Sequence, residues 1–184
     1  MPSQEGGDLS QRAKPGSRKK EGQVRLTFLL SFLIFSAWLA GIFLAPYLQS
    51  LSSSWARLVY AAYAPFCHQI PERSLSCFGH PLAVCTRCLG IYSGILLGLI
   101  LYPFIRGWKE VRAPESRVFF SLSAPIVLDT AANFLGVWKS SGAVRLATGL
   151  LWGVLLPFYL ITGWVDFLRQ RQERIRNKSL LPGH

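Results

Sequence analysis

AVCTRCLGIYSGILLGLILYPFI, residues 83–105, is the segment that decides the fold class of this chain. Its only charged side chain is Arg87, and the rest is almost entirely apolar. An apolar helix of roughly 20 residues is long enough to cross the hydrocarbon core of a bilayer. We therefore expect a membrane-spanning helix at this position.

Three other segments resemble it in length and composition, at residues 26–48, 118–138 and 143–164. The third span in chain order, 118–138, is the least apolar because it carries Asp129 and Asn133. An aspartate at mid-span costs about 3 kcal/mol on insertion scales. Hydrophobic residues make up 51% of the chain and charged residues only 16%, which disfavours a soluble domain. The sequence predicts an all-α polytopic membrane protein with a four-helix transmembrane bundle.

The net charge of +11 comes from basic residues that lie between and outside these segments. Six lysines and arginines precede the first span, four lie in the short second connection, and five follow the last span. The long first connection has two and the third has one. Cytoplasmic segments are rich in Lys and Arg, so both termini are predicted to be cytoplasmic in a multi-pass protein of the cell membrane. The charge is thereby explained by the lipid bilayer, and no nucleic-acid partner is expected.

Three regions follow from this topology. Residues 1–25 are rich in Gly, Ser, Gln and Lys, and we predict a disordered, basic cytoplasmic tail. Residues 26–165 form the four-span membrane domain. Residues 166–184 form a basic cytoplasmic C-terminal tail, in which 166–178 is predicted to extend the last helix.

The first connection is predicted to contain an interfacial helix. Its apolar residues recur at helical spacing, at Trp55, Leu58, Val59, Ala62 and Phe66. The stretch is too short to cross a bilayer, so it is expected to lie on the outer leaflet. Pro65 disfavours helix at the residue before it and helps to end this element.

The connection continues as a Cys/His-rich outer loop. All four cysteines and two of the three histidines fall within residues 67–88. Cys85 and Cys88 stand one turn apart at the start of the second span, where unpaired backbone N–H groups and the helix dipole favour thiolate. Thiolate serves equally as a metal ligand and as a redox nucleophile.

Two cysteine chemistries and one structural role are consistent with this loop. Cys85 and Cys88, with Cys67 and His68, are predicted to bind zinc in a tetrahedral site. A dithiol/disulfide couple is the first alternative, because the loop faces an oxidising compartment. Structural disulfides are the second. His80 is interpreted as a turn residue.

Polar residues and glycines inside the spans predict a second feature beneath the loop. Gly90, Gly94 and Gly98 form a stripe that lets another helix approach closely, within the bundle or in a homo-oligomer. Asp129 needs a partner in hydrocarbon, and either Arg87 or Arg145 could supply it. These groups predict a polar pocket roofed by the cysteine loop.

The first functional hypothesis is a metal-dependent membrane enzyme that acts on a lipid or another amphiphile. A metal-bound water would be the reactive group, and arginines would stabilise anionic charge. The candidate catalytic residues are Asp129, Arg87, Tyr92, Arg145 and Arg73.

The second hypothesis is a quinone-coupled thiol-disulfide oxidoreductase, similar in its spans and its Cys-x-x-Cys to bacterial disulfide-forming oxidases. Cys85 and Cys88 would be the active pair, and Cys67 with Cys77 the shuttle pair. The third is a non-catalytic membrane subunit or small-solute carrier.

A family resemblance covers roughly residues 50–160. The residues that carry it are Cys67-His68, Arg73-Ser74, Cys85-x-Arg87-Cys88-x-Gly90-x-Tyr92 and the later Pro125, Asp129, Arg145, Thr148 and Gly149. In these positions the chain resembles a family of predicted prokaryotic membrane proteins that is defined only as a numbered domain of unknown function. The resemblance implies a membrane protein and no particular activity, and Cys77 falls outside the family's pattern.

Overall fold

The computed structural model describes residues 15–106 and 115–180. Within these ranges the chain is mostly helical. The elements in chain order are α1 (Pro15–Ser50), α2 (Trp55–Tyr63), a 3₁₀ turn (Pro71–Arg73), β1 (Ser76–Cys77), β2 (His80–Pro81), α3 (Thr86–Arg106), α4 (Ser116–Phe134) and α5 (Gly142–Leu180).

Three of these helices are long and apolar enough to cross a membrane: α1 over residues 21–50, α3 over 86–106 and α5 over 142–168. The third predicted span, α4, does not reach the same apolar character, because its 19 residues include Arg117, Asp129 and several polar side chains. The chain is therefore a membrane protein with three candidate spans. A fourth span remains a prediction.

The N-terminal end of the membrane domain is more helical than we predicted, and the C-terminal end is helical as predicted. α1 begins at Pro15, so residues 15–25 of the segment predicted to be disordered are helical. Lengthening an existing helix costs little once the span has formed, and proline is compatible with a first helical position. α5 runs to Leu180, which confirms the predicted helical extension over 166–178. Residues 1–14 and 181–184 lie outside the described residues.

α4 ends at Phe134, four residues before the predicted boundary. Gly136 takes a positive φ of 72°. The N–H of Val137 then donates to the carbonyl of Ala132 at 3.1 Å, and that of Gly136 to Asn133 at 3.3 Å. This is the Schellman arrangement that closes many helices at a glycine. It turns the following residues back towards the helix end, which places Ser140 near Asp129.

Among the described residues, the closest packing of two helices joins α3 and α5. A Cβ added at Gly90, Gly94 or Gly98 would overlap backbone carbonyls of α5, at Leu146, Leu150 and Val154 respectively. Residue numbers rise together along both helices, so α3 and α5 run in the same direction. Gly149 and Gly153 of α5 make the reciprocal approach to α3. The predicted glycine stripe is thus confirmed as a close helix contact, and it is used within the chain.

The other long helices run the opposite way. Trp152 of α5 donates its indole N–H to Ser123 of α4 at 3.0 Å, and Tyr159 donates to the carbonyl of Glu115 at 3.1 Å. Residue numbers rise along α5 as they fall along α4, so these two helices are antiparallel. α1 is antiparallel to α3, because Trp38 packs edge-on against Tyr92 with ring centroids 5.9 Å apart, and the earlier Val24 packs in a cluster with the later residues of α3.

α2 folds back over the C-terminal half of α1. The Tyr63 hydroxyl donates to the carbonyl of Trp38 at 2.6 Å and occupies the space that a side chain at Gly41 would fill. Trp55 and Leu58 remain exposed on the other side of α2. The predicted short helix is present at the expected residues. We call the end of the bundle that carries α2, the hairpin and the cysteines the cysteine end.

Candidate metal centre

Three cysteines meet at the cysteine end. The Sγ atoms of Cys67, Cys85 and Cys88 all lie within 4.8 Å of one another. Cys67 is buried and the other two are half-buried. These are three of the four residues predicted to bind metal. The fourth, His68, has an exposed side chain and lies outside the cluster of the three thiols.

Short-range bonds bring Cys67 to the start of α3. Its own N–H donates to the carbonyl of Tyr63 at 3.0 Å, just after α2 ends. The N–H of Cys85 donates to Cys67 Sγ at 3.1 Å. The hydroxyl of Thr86 donates to the carbonyl of Arg73 at 2.6 Å and ties the intervening loop to the same helix end. Hydrogen bonds at both ends of the loop therefore hold the three clustered thiols together.

The loop between Cys67 and α3 is held against α2. Gln69 has a positive φ of 50°, which reverses the chain after His68. Its side-chain amide donates to the carbonyl of Tyr60 at 2.7 Å, and the Tyr60 hydroxyl donates to the carbonyl of Pro81 at 2.6 Å. Gln69 and Tyr60 carry no signal in the sequence, because neither stands in a recognisable motif.

Cys77 lies in a small hairpin away from the other thiols. It pairs with His80 across β1 and β2, and Phe78 and Gly79 between them have positive φ angles of 54° and 78°. Two such residues form a type I′ turn, for which Gly79 is suited. His80, which was interpreted as a turn residue, is the first residue of β2 and flanks this turn. The predicted shuttle pair of Cys67 with Cys77 is not formed, since Cys67 lies beside Cys85 and Cys88 and all four cysteines are free.

The two neighbouring thiols favour the thiolate form of Cys85. The pKa of this thiol lies far below its usual range because the Cys67 and Cys88 thiols donate hydrogen bonds to its sulfur. Backbone N–H groups of Cys88 and Arg87 act in the same direction, while burial opposes them. A thiolate is the form that a soft metal ion binds.

A polar network lies beside the thiols, at the ends of α3, α4 and α5. Arg87 forms an ion pair with Asp129, which confirms one of the two predicted partners. The Ser140 hydroxyl donates to the other carboxylate oxygen of Asp129, and the Asn133 amide donates to Ser140. Arg145 donates to the Asn133 side-chain oxygen at 3.2 Å. The Asn133 amide also donates to Asp129 Oδ1 at 3.3 Å, so the carboxylate, whose side chain is only 7% exposed, has three donors.

A cavity of about 320 Å³ joins the thiols to this network. Its walls include the three clustered cysteines and three arginines; the lining residues are Phe66, Cys67, His68, Gln69, Ile70, Arg73, Cys85, Arg87, Cys88, Asn133 and Arg145. The predicted polar pocket next to the cysteine loop is therefore present in the structure. Of the predicted catalytic residues, Arg73, Arg87 and Arg145 line it.

Two predicted catalytic residues stand behind this wall. Asp129 reaches the cavity only through its partners Arg87 and Asn133. Tyr92 packs against Trp38 in the core and does not line the cavity. Ser140 was missed by the sequence analysis, because only the turn at Gly136 brings it to Asp129. A catalytic role for any of these residues remains a prediction.

Comparisons with known proteins agree with the resemblance found in the sequence. Residues 67–159 match the model of a family described as predicted membrane protein (DUF2085). An uncharacterized protein of Methanocaldococcus jannaschii is 39% identical over 152 residues, which cover 79% of this chain and 96% of that protein. An uncharacterized protein of Methanothermobacter thermautotrophicus is 33% identical over 97 residues, or 53% of this chain and 86% of its own length. No solved structure matches the chain. On this evidence the chain belongs to the DUF2085 family of predicted membrane proteins.

Proposed function

We propose that this chain is a metal-binding membrane protein in which Cys67, Cys85 and Cys88 hold one zinc ion. The observation that carries the proposal is the spacing of the three sulfur atoms, all within 4.8 Å of one another. Tetrahedral zinc with Zn–S bonds of about 2.3 Å needs sulfurs about 3.8 Å apart. The upper limit of 4.8 Å is compatible with that spacing. Three thiolates also suit a soft cation better than calcium or magnesium.

The fourth coordination position is proposed to face the cavity. All three cysteines line that space, and His68, which also lines it, is exposed and outside the thiol group. Zinc sites with three protein ligands and an open position are typical of catalysis, whereas closed four-ligand sites are structural. This supports a metal-dependent enzyme more than a purely structural zinc.

The arginines favour an anionic substrate or transition state. Arg73 and Arg145 line the cavity without a carboxylate partner among the described residues, whereas Arg87 is paired with Asp129. Guanidinium groups in a partly enclosed site stabilise developing negative charge. Asp129, Ser140 and Asn133 would act by fixing Arg87 and Arg145 in position. The substrate class proposed is a lipid or another amphiphile.

The four-span topology belongs to the same proposal. α3 and α5 run in the same direction side by side, so the chain must return along their length between Arg106 and Gly142. α4 lies antiparallel to α5 and has 19 residues, or about 28 Å of helix. Four crossings, with the basic ends of α1 and α5 in the cytoplasm, would place the cysteine end outside the cell membrane.

Metal analysis of the full chain, purified in detergent without chelator, tests the metal site. We expect about one zinc per chain. Cys67→Ser, Cys85→Ser and Cys88→Ser should each lose most of the metal, because each removes one of three ligands. Cys77→Ser is the matched control and should keep it, since Cys77 lies outside the thiol group. Wild-type protein without metal, or an equal loss in the Cys77 variant, would contradict the proposal.

The alternative is a thiol-disulfide oxidoreductase, and one observation favours it. Cys85 is stabilised as a thiolate beside two further thiols, so it could attack a disulfide or form one with Cys88. Oxidation of Cys85 and Cys88 to a disulfide releases two electrons and two protons, which a quinone would take up. Thiol titration of the same protein separates the two functions. Metal-free protein with a disulfide supports this alternative. Metal-loaded protein in which all four cysteines titrate as reduced thiols after denaturation with chelator excludes it.

A further inference from the structure

A second cavity, of about 550 Å³, lies at the cysteine end beside the proposed metal centre. Its positive charge comes from Arg73, Lys139 and Arg145, and Glu72 is the single carboxylate among its lining residues. Asn133 and Ser140 add polar groups to its wall. Lys139 lines this cavity and not the cavity of the thiols. The two cavities therefore share arginines, but a substitution of Lys139 changes the lining of this cavity alone.

None of the three cations of this cavity forms an ion pair with the side chains that the structure describes. Among those side chains, no carboxylate oxygen lies within 4.0 Å of Arg73, Lys139 or Arg145. Asp129, the nearest buried acid, is already bonded to Arg87 and Ser140. Three like charges around one space repel one another and raise the local concentration of anions. An anionic group is the ligand that this arrangement fits.

The rim of the cavity indicates where that anion comes from. The turn after α4 supplies Gly136 and Lys139 to the cavity, and between and before them it presents exposed apolar side chains. Phe134 is 90% exposed, Val137 79% and Trp138 54%. Exposed apolar groups with tryptophan at the end of a membrane helix are typical of the headgroup boundary. This is the composition expected of a rim beside lipid headgroups.

An apolar groove lies along α4 and ends at Phe134, close to the same turn. It encloses about 690 Å³, and its lining residues are almost all apolar, from Phe119 near the start of α4 to Phe134 at its end, with Trp152 of α5. The cationic cavity reaches Asn133 and Gly136 at the same end of the helix. A ligand with a charged head and a hydrocarbon chain matches the two spaces in order.

We infer that this cavity binds the phosphate of an anionic membrane lipid through Arg73, Lys139 and Arg145, with an acyl or isoprenoid chain along α4. The identification of this lipid as the substrate class rests on the proposed function, whereas the binding does not. The lipid phosphate would lie beside the cavity of the thiols, since Arg73 and Arg145 line both.

Quenching of tryptophan fluorescence by brominated lipids tests the binding. The full chain in detergent is titrated with brominated phosphatidylglycerol and with brominated phosphatidylcholine, and Trp138 and Trp152 lie at the two spaces. We expect the anionic lipid to bind more tightly by about tenfold, and Lys139→Gln to weaken its binding about fivefold. Arg57→Gln, an equal charge change on exposed α2, is the control and should stay within about twofold.

Two results would overturn the inference. Equal losses in the Lys139 and Arg57 variants would mean a general attraction to positive surface. Inorganic phosphate that competes at millimolar concentration, without any preference between the two lipids, would identify a soluble anion as the ligand. Metal content measured on the same samples keeps the proposals apart, because Lys139→Gln should retain zinc. Metal-free protein that still selects the anionic lipid would refute the metal centre alone.

Discussion

α5 packs against α3 and against α4 by different physical means. Its contact with α3 is made by glycines that let backbone approach backbone, so the two helices fit by shape. Its contact with α4 depends on a few polar bonds, from Trp152, Tyr159 and the network around Asp129. Shape complementarity tolerates no added volume, whereas discrete polar bonds can be removed one at a time. The difference predicts which substitutions destroy the fold and which only loosen α4.

The largest effect is expected from Gly94→Ile. The new side chain would collide with the Leu150 carbonyl and with Gly153, and neither backbone group can move away without separating the helices. Overpacking usually costs about 1–3 kcal/mol when neighbouring side chains can shift. Here the obstruction is backbone and the α3–α5 contact cannot close, so the loss should exceed the roughly 3–5 kcal/mol expected for breaking a buried ion pair. Fluorescence-detected size exclusion and thermal melting in detergent should show little folded protein.

Gly163→Ile is the matched control for that substitution. Gly163 also lies in α5, but a Cβ there meets no atom within 4 Å. The same change of residue should leave the melting temperature within a few degrees of wild type. If both variants unfold alike, helix propensity and not the α3–α5 contact explains the loss.

The next effect in size concerns the ion pair that joins α3 to α4. Asp129→Leu leaves Arg87 without its partner, and the Arg87 side chain is only 20% exposed. Removing one member of a buried pair costs about 3–5 kcal/mol, because the remaining charge stays desolvated. Chemical or thermal unfolding in detergent measures this loss.

The double variant Arg87→Met with Asp129→Leu sharpens the interpretation. Removing both charges leaves no uncompensated ion, so most of the lost stability should return. A double variant as unstable as the single one would mean that Ser140 and Asn133, rather than the charge pair, hold α4 in place.

The smallest effect is expected from Ser123→Ala. It removes the acceptor for the Trp152 indole N–H at 3.0 Å and leaves every helix contact in place. Hydrogen bonds between membrane helices are worth about 0.6 kcal/mol on average. A loss of that size, with normal zinc content, would agree with a contact built from separable bonds. A loss comparable to that of Gly94→Ile would contradict the comparison between the two helix pairs.

The sequence predicted the helices and the residues through which they contact one another better than it predicted the helix ends. The Gly90, Gly94 and Gly98 stripe and the Arg87–Asp129 pair follow from spacing and from the cost of charge in hydrocarbon, so both could be inferred. The boundary of α4 could not, because it depends on the backbone conformation of a single residue, Gly136.

The cysteines of the site could be predicted from the sequence, whereas the residues that the turn after α4 brings to it could not. Cys67, Cys85 and Cys88 stand out by residue type, which is why their grouping could be expected. Ser140 and Lys139 carry no such signal, since a serine and a lysine in a short connection are ordinary. Only the turn after α4 brings them to the cavities. Similarly, His68 was included for its proximity to Cys67 in the chain, and the reversal at Gln69 separates it from the thiols.

The parallel arrangement of α3 and α5 has a consequence for the order of events during synthesis. Two neighbouring parallel helices cannot meet until the chain between them has returned, so their contact closes only after α4 and the first half of α5 have been made. Until then the glycine face of α3 is not packed against α5. During the same interval Asp129 lies on α4, which is less apolar than the other long helices. Both cavities at the cysteine end are completed in that last step, because each draws walls from α3 and α5 together.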